Sequence, residues 1–423
     1  WSICLTALST RVSTWRTRHK MTDVSVKPDD GKGLEHYARL LEEAHREKGI
    51  SLWRDAWRRL RRNKASMVSL VFLVLLSISA LLTPLLPLQS PVEQHLGDGA
   101  FQSPNTTAVS LPLLEMRQEY DDTIAQLEDR LDAAGTAKQR IEIENEMEAT
   151  VLNSLFERYW NKPGPITRRL IRIRISLFGD WSVPSLCGTD NLGRDVFSRL
   201  FWGARVSLIV GIVATFVSLL IGVSYGATAG YVGGGVDRIM MRIVDVFYSV
   251  PFIFVVIFLI TILDEPSIKG NLEQIGIDRI TIFYFLIGAI YWLTMARVVR
   301  GQIISLKNEQ FVEAARTIGA SRVRIIFRHL VPNVMGIVIV YLTLTIPAVM
   351  RFEAFLSFLG IGVAPPDVSW GLLVNEGLQD ITPIKIYWWS VTFSGLALAM
   401  TLFALSFLGD GLRDALDPRM KNR

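Results

Sequence analysis

Apolar residues gather along this chain in runs of about twenty, the length at which a helix crosses a bilayer. Six such runs are read: Met67–Leu86, Val206–Ala229, Ile243–Leu263, Thr281–Val299, Val334–Met350 and Tyr387–Leu408. Pro84 and Pro87 mark the exit of the first, and Pro251 is expected to kink the third. Gly230–Arg242, with glycines at 233–235, is expected to form a tight turn, and Asp264–Arg279 a short loop of mixed charge.

One polar stretch interrupts the later runs. In NEQFVEAARTIGASRVRIIFRHLVPN (308–333), Phe311, Ala314, Ala315 and Ile318 share one face at helical spacing. Asn308 suits an N-cap, with Glu309 beside it at the positive end of the helix dipole. Gly319 can take the left-handed conformation that ends a helix, and Ser321 can cap a second one. That helix carries a stripe of Val323, Ile326, Phe327 and Leu330, and Pro332 is expected to stop it. The unit is a helix, a glycine turn and a helix at the membrane's water side. Physics alone leaves open whether it docks something or lies in the headgroups.

Two patterns lie outside the spans. Ser51–Lys64 places Leu52, Trp53, Trp57 and Leu60 on one face and arginines around the rest, as a basic amphipathic helix or a charged anchor. Between the first two spans, Leu113–Tyr159 shows two helical stripes broken at Gly135-Thr136, which reads as an antiparallel hairpin. This insertion is either a docking surface or an inert elaboration.

Charge then orients the spans. The chain has 423 residues, half of them hydrophobic, and a formal net charge of +5. Arg58, Arg59, Arg61, Arg62 and Lys64 precede the first span and place its start inside. Short inner loops carry more Lys and Arg than short outer ones, so both termini are expected to be cytoplasmic. The basic run Arg168–Arg174 fits an outer location, because long loops escape the charge rule. The expected divisions are a cytoplasmic tail (1–50), an amphipathic segment with the first span (51–87), an outer helical insertion (88–187) and a five-span core (188–423). Translation is expected to start at Met21, leaving residues 1–20 as an over-extended frame.

Candidate chemistry is sparse. The only Gly-Lys pair, Gly31-Lys32, lacks the rest of a phosphate-binding loop, so ATP hydrolysis by this chain is not expected. Five scattered histidines offer no metal-ligand spacing, and the two cysteines, Cys4 and Cys187, fall on opposite sides of the membrane. The spans hold no Ser/His or paired-Asp arrangement, so no catalytic residue, cofactor or metal is assigned. Basic residues flank apolar runs, which indicates membrane orientation rather than nucleic acid. Arg242 and Asp245, three apart, are expected to form a local ion pair.

Glu313-Ala314-Ala315, Gly319 and His329-Leu330-Val331-Pro332-Asn333 together resemble the EAA loop of ABC importer permeases. Gly188-Thr189-Asp190, Leu192-Gly193-Arg194-Asp195, Leu356-Ser357-Phe358-Leu359-Gly360, Pro365-Pro366, Trp370-Gly371 and Gly409-Asp410-Gly411-Leu412-Arg413-Asp414 extend the likeness to the C-type subunit of the dipeptide/oligopeptide/nickel branch. The resemblance covers roughly residues 50–90 and 185–420.

It implies an all-α polytopic fold with six transmembrane helices, the type I importer permease fold, in a bacterial inner membrane. It implies that Phe311, Glu313, Ala314, Ala315, Ile318, Gly319, His329, Pro332 and Asn333 belong to a loop coupling the chain to cytoplasmic ATPase domains. Two such domains would bind the ATP. A second permease chain and an extracytoplasmic solute-binding protein are the other implied partners. Glu353, Ser357, Gly360 and Trp370 are candidates for an outer gate, as a re-entrant element or an ordinary outer loop. The resemblance favours peptides as the solute, with nickel, opines, sugars and glutathione as the alternatives. A secondary transporter, or a scaffold acting through the outer hairpin, are the alternatives.

Overall fold

The computed structural model describes residues 52–416, apart from 108, 111–126, 128, 135, 137–138, 142, 144–145, 147–158, 161–162, 264, 275–278 and 382–384. The chain divides into two compact units, Trp1–Asp55 and Ala56–Arg423; the first contributes only the start of one helix to the described residues. The expected N-terminal tail, the end of the C-terminal tail and most of the 113–159 hairpin lie outside those residues. Of the hairpin, Arg130 and Glu146 are described and pair at 3.2 Å.

The described elements are mostly helical. After α1 (Leu52–Arg62), α2 (Lys64–Leu82) begins at an Asn63 cap, whose side chain accepts from Ser66 N at 3.3 Å. A tight turn at Thr83–Leu85 ends it. The strands β1 (Val109–Ser110) and β2 (Trp181–Ser182) pair antiparallel over two residues each, flanking α3 (Pro165–Phe178). The remaining helices are α4 (Val196–Val232), α5 (Gly234–Ser249), α6 (Phe252–Leu263), α7 (Pro266–Gln274), α8 (Arg279–Leu306), α9 (Gln310–Thr317), α10 (Val331–Phe358), α11 (Trp370–Gln379) and α12 (Trp388–Leu416).

Among the described residues, five unbroken segments are long and apolar enough to cross a membrane: Lys64–Leu85, Val196–Val232, Ile280–Leu306, Arg322–Phe358 and Trp388–Leu416. The third expected span, Ile243–Leu263, is not one straight helix: α5 and α6 meet at 82°, the geometry of a broken span or a re-entrant pair. Val250 before Pro251 is extended (φ −88°, ψ 124°), as the proline ring demands of its predecessor, so a kink becomes a break. The expected glycine-rich turn is shorter than read. It is confined to Gly233 and Gly234, both at positive φ, and residues 235–242 already belong to α5.

α4 and α8 form the centre of the bundle. Their backbones approach closely through small residues, the usual solution where lipid removes the hydrophobic drive between helices. A Cβ on Gly288 would lie 2.9 Å from the Ala214 carbonyl, and one on Gly226 would collide with the Ala296 carbonyl. α12 is held to α2 where Ser66 Oγ donates to the Phe407 carbonyl at 3.0 Å. Successive spans run antiparallel, so the bundle has two ends. One carries the 308–333 loop; the other carries residues 188–195 and α11.

Candidate functional site: the 308–333 loop and the opposite end

α9 starts from Glu309, not Asn308, and no side chain caps it. Its end is as expected. Gly319 sits at φ +82°, Gly319 N donates to the Arg316 carbonyl at 2.9 Å, and Ala320 N donates to the Ala315 carbonyl at 3.0 Å. This is the glycine-terminated helix end that satisfies the last carbonyls. Ser321 then caps the next turn, its Oγ accepting from Arg324 N at 3.4 Å.

The apolar face divides differently from the expectation. Val312 and Ala315 are buried, whereas Phe311, Ala314 and Ile318 are exposed, Ile318 at 86%. At 100° per residue the two sets occupy adjacent arcs, and the 40° between Phe311 and Ala315 separates surface from core. The following turns split likewise. Ile325, Ile326 and Leu330 are buried; Val323 and Phe327 are exposed. The buried members join one core cluster with Val223 and Ala227 of α4, Val299 and Ile303 of α8, and Val334 and Val338 of α10. The loop is therefore welded to three spans on one side and presents an apolar surface on the other.

Pro332 does not stop the second helix. Residues 325–330 widen into a π-turn, Val331 N reaches back to the Ile326 carbonyl, and helix continues unbroken to Phe358. Pro332 occupies the first turn of α10, where a missing N–H costs little, and Asn333 Nδ2 donates to the His329 carbonyl at 2.6 Å. His329 is half-buried in the π-turn. Arg316 reaches the Lys307 carbonyl and the Tyr231 hydroxyl, each at 3.4 Å, and stacks over the Tyr231 ring. Glu313 is exposed and makes no ion pair with any described residue.

The expected Arg242–Asp245 pair is not formed. Asp245 instead accepts from Arg297 of α8 at 2.7 Å, whose guanidinium also stacks 4.0 Å from the Tyr248 ring centroid. That second contact orients Arg297, and it makes the link one between helices rather than within one.

At the other end, Glu353 and Ser357 are not in a re-entrant element. They occupy the last two turns of α10, fully buried, with Ser357 Oγ donating to Glu353 Oε1 at 2.8 Å. Trp370 begins α11 and is buried beside them, Nε1 donating to the Leu200 carbonyl and N to Ser207 Oγ. Gly360 stands apart, exposed at φ +77°.

Sequence reasoning missed the strongest polar feature. Arg199 Nη1 lies 2.6 Å from both Asp190 Oδ2 and Glu376 Oε2. Arg194 pairs with the same two carboxylates at 2.7 and 3.2 Å. Two guanidinia and two carboxylates close a buried cluster that clamps residues 188–195 and α4 to α11. Asp195, next to it, caps α4 through Ser198 N at 2.7 Å. Burial pushes the Asp195 carboxyl up to about 7, against the opposing effect of its backbone hydrogen bonds. Burial, with the neighbouring Asp190 and Glu376 charges, pushes Asp380 up to about 6. The i,i+4 spacing of Asp190 and Arg194 was a local signal; Glu376 had none.

Residues 218–422 match the family described as binding-protein-dependent transport system inner membrane component, and residues 51–104 match the N-terminal TM domain of oligopeptide transport permease C. The dipeptide transport system permease protein DppC of Bacillus subtilis is 45% identical over 55% of this chain and 68% of its own length. The oligopeptide transport system permease protein OppC of Haemophilus influenzae is 46% identical over 55% of this chain and 70% of its own. A chain of an inward-facing MetNI methionine ABC transporter covers 52% of this chain at 19% identity, with a TM-score of 0.40. The two sequence likenesses, on a bundle with a welded inter-span loop, place the chain: it belongs to the binding-protein-dependent transport permeases, as a multi-pass membrane subunit of an ABC importer.

Proposed function

We propose that this chain forms half of a pathway for peptides across a bacterial inner membrane, with both termini cytoplasmic. The single observation that supports it most is the 308–333 loop, buried on one face against three spans and apolar on the other. A second permease chain completes the pathway, two ATPase domains drive it, one of them docking on Phe311, Ala314 and Ile318 of this chain, and a solute-binding protein delivers cargo at the opposite end. ATP is bound by those domains; this subunit supplies no cofactor site.

The coupling follows from mechanics. A docked ATPase domain pushing on α9 moves Val312 and Ala315, which are packed against α4, α8 and α10. A close-packed interior transmits such a displacement rather than absorbing it. The spans therefore move as bodies between two states, biased by nucleotide and by loaded binding protein. Glu313, exposed on α9 about 100° round from Ala314, and Gly319, which sets the angle between the two helices, are the polar and conformational members of the contact. Peptides are favoured as cargo because the curated relatives are named for dipeptides and oligopeptides.

Uptake of labelled dipeptides and tetrapeptides into proteoliposomes holding the complete assembly tests this. Accumulation that needs ATP and the binding protein is the expected result. ATP-driven accumulation of nickel or a sugar, with none of any peptide, overturns the cargo but keeps the permease. Accumulation driven by a proton gradient without ATP overturns both.

A further inference from the structure

α3 lies between the two family-matched regions, 51–104 and 218–422, and the transport reading gives it no role. Its sequence, PITRRLIRIRISLF, sorts into three lengthwise stripes. Thr167, Ile171 and Arg174 are buried against the protein. Arg169 and Arg172 are exposed along a second stripe. Ile166, Leu170, Ile173 and Leu177, spaced four, three and four, form the third, about 100° round the helix from the buried stripe, with Leu170 half-buried and the other three exposed. Ile166 is 77% exposed and Leu177 65%. Phe178, the last residue of α3, and Trp181 beyond it add exposed aromatic surface at this end, their rings 6.3 Å apart.

The position of α3 relative to the spans says what covers that edge. α3 packs on the Thr83–Leu85 turn that closes the first candidate span. That span has 22 residues, about 33 Å at 1.5 Å per residue, close to the roughly 30 Å of a hydrocarbon core. The turn, and the helix on it, therefore lie at the hydrocarbon boundary. A second tie comes from Arg205 of α4, which donates to Thr167 Oγ1 at 2.9 Å. Arg174 fixes the trailing segment, donating to the carbonyls of Gly179 and Trp181 at 3.3 and 3.0 Å, and so holds Trp181 at the same level. An apolar stripe flanked by arginines and ending in Phe and Trp is the composition that partitions into a bilayer interface.

We infer that α3 is an in-plane anchor, its Ile166/Leu170/Ile173/Leu177 edge sunk in the phospholipid interface at the end opposite the 308–333 loop, with Arg169 among the headgroup phosphates. The anchor braces the ends of α2 and α4 against tilting while the loop end moves. This inference rests on the membrane reading alone and is independent of the cargo.

Spin labels report it directly. The full-length chain, with Cys4→Ala and Cys187→Ala, is placed in nanodiscs of phosphatidylethanolamine and phosphatidylglycerol. Labels go on Ile173→Cys, Leu177→Cys and, for the polar stripe, Arg169→Cys. Collision with oxygen is expected to exceed collision with a water-soluble nickel chelate several-fold at 173 and 177, with the order reversed at 169. Chelate access equal to or above oxygen at 173 and 177 overturns the inference and leaves that edge to a protein partner. Low access by both reagents overturns it too, and assigns the edge to a second copy of the chain. Should the cysteine-free chain fail to fold, Trp181 is read instead as the fluorescence difference between the natural chain and Trp181→Phe in brominated lipids. Quenching strongest with bromine high on the acyl chain supports the anchor; no quenching overturns it.

Discussion

The two ends of this bundle solve opposite problems. At the 308–333 loop, apolar side chains are left outside: Phe311, Ile318, Val323 and Phe327 are all exposed. At the other end, charges are taken inside: Asp190, Arg194 and Arg199 are all at most 5% exposed. Apolar area exposed on a loop outside the spans is the kind of surface a protein partner covers. A closed buried ion cluster is a fixed joint, since any separation leaves unpaired charge in a low dielectric. The contrast teaches that this chain spends its adaptable surface where a drive would be applied and its rigid contacts where the spans must be held in register.

Substitutions can break that contrast. The largest effect is expected from Arg199→Met, which leaves buried Asp190 and part-buried Glu376 sharing the single guanidinium of Arg194. Removing one partner of a buried pair costs about 3–5 kcal/mol, so the thermal unfolding midpoint in detergent should collapse. Next comes Val312→Ala, which empties part of the loop's weld to the spans; a cost of about 1–3 kcal/mol is expected, read by the same melt. At the exposed face, Phe311→Ala/Ile318→Ala should alter stability by no more than about 0.5 kcal/mol while abolishing capture of the ATPase. A loss of stability as large as that of Val312→Ala would mean the two arcs of α9 are not distinct. Arg297→Met tests an exposed pair, where about 1 kcal/mol or less is expected.

A further effect concerns pH and is read as a slope. Asp195 and Asp380 have folded-state carboxyls raised above the unfolded range, to about 7 and about 6. Each therefore binds its proton more tightly when folded. Their contribution to stability is greatest below the unfolded carboxylate pKa and is lost as pH rises through 6 to 7. Asp195→Asn keeps an oxygen for the α4 cap and removes the titration. The variant's unfolding midpoint should vary less than the natural chain's between pH 5 and 8.

Much of this was legible in the sequence because bilayer physics leaves few options. Runs of the right length must be helices, and basic residues beside them set a direction. Gly319 was legible for a local reason, that a left-handed helix end tolerates little else. The failures share a cause. Whether Phe311 or Val312 is buried depends on where α8 and α10 stand, which helical spacing cannot say. Pro332 was read as a stop because a π-turn is invisible to a pattern counted in threes and fours. Asp245 was paired with Arg242, its sequence neighbour, when the partner with a better hold was Arg297, 52 residues on. Glu376 closes the ion cluster from a distance of 177 residues to Arg199, and no local pattern reaches that far.

The most direct test of the docking claim is copurification from gently solubilised membranes holding the whole transporter. The natural chain is compared with Phe311→Ala/Ile318→Ala and with Glu313→Ala/Gly319→Pro. A nucleotide-binding ATPase that comes down with the natural chain and is lost with both folded variants is the predicted result. Retention of the ATPase at natural yield by both folded variants would contradict the account, and would place the coupling surface elsewhere on the chain.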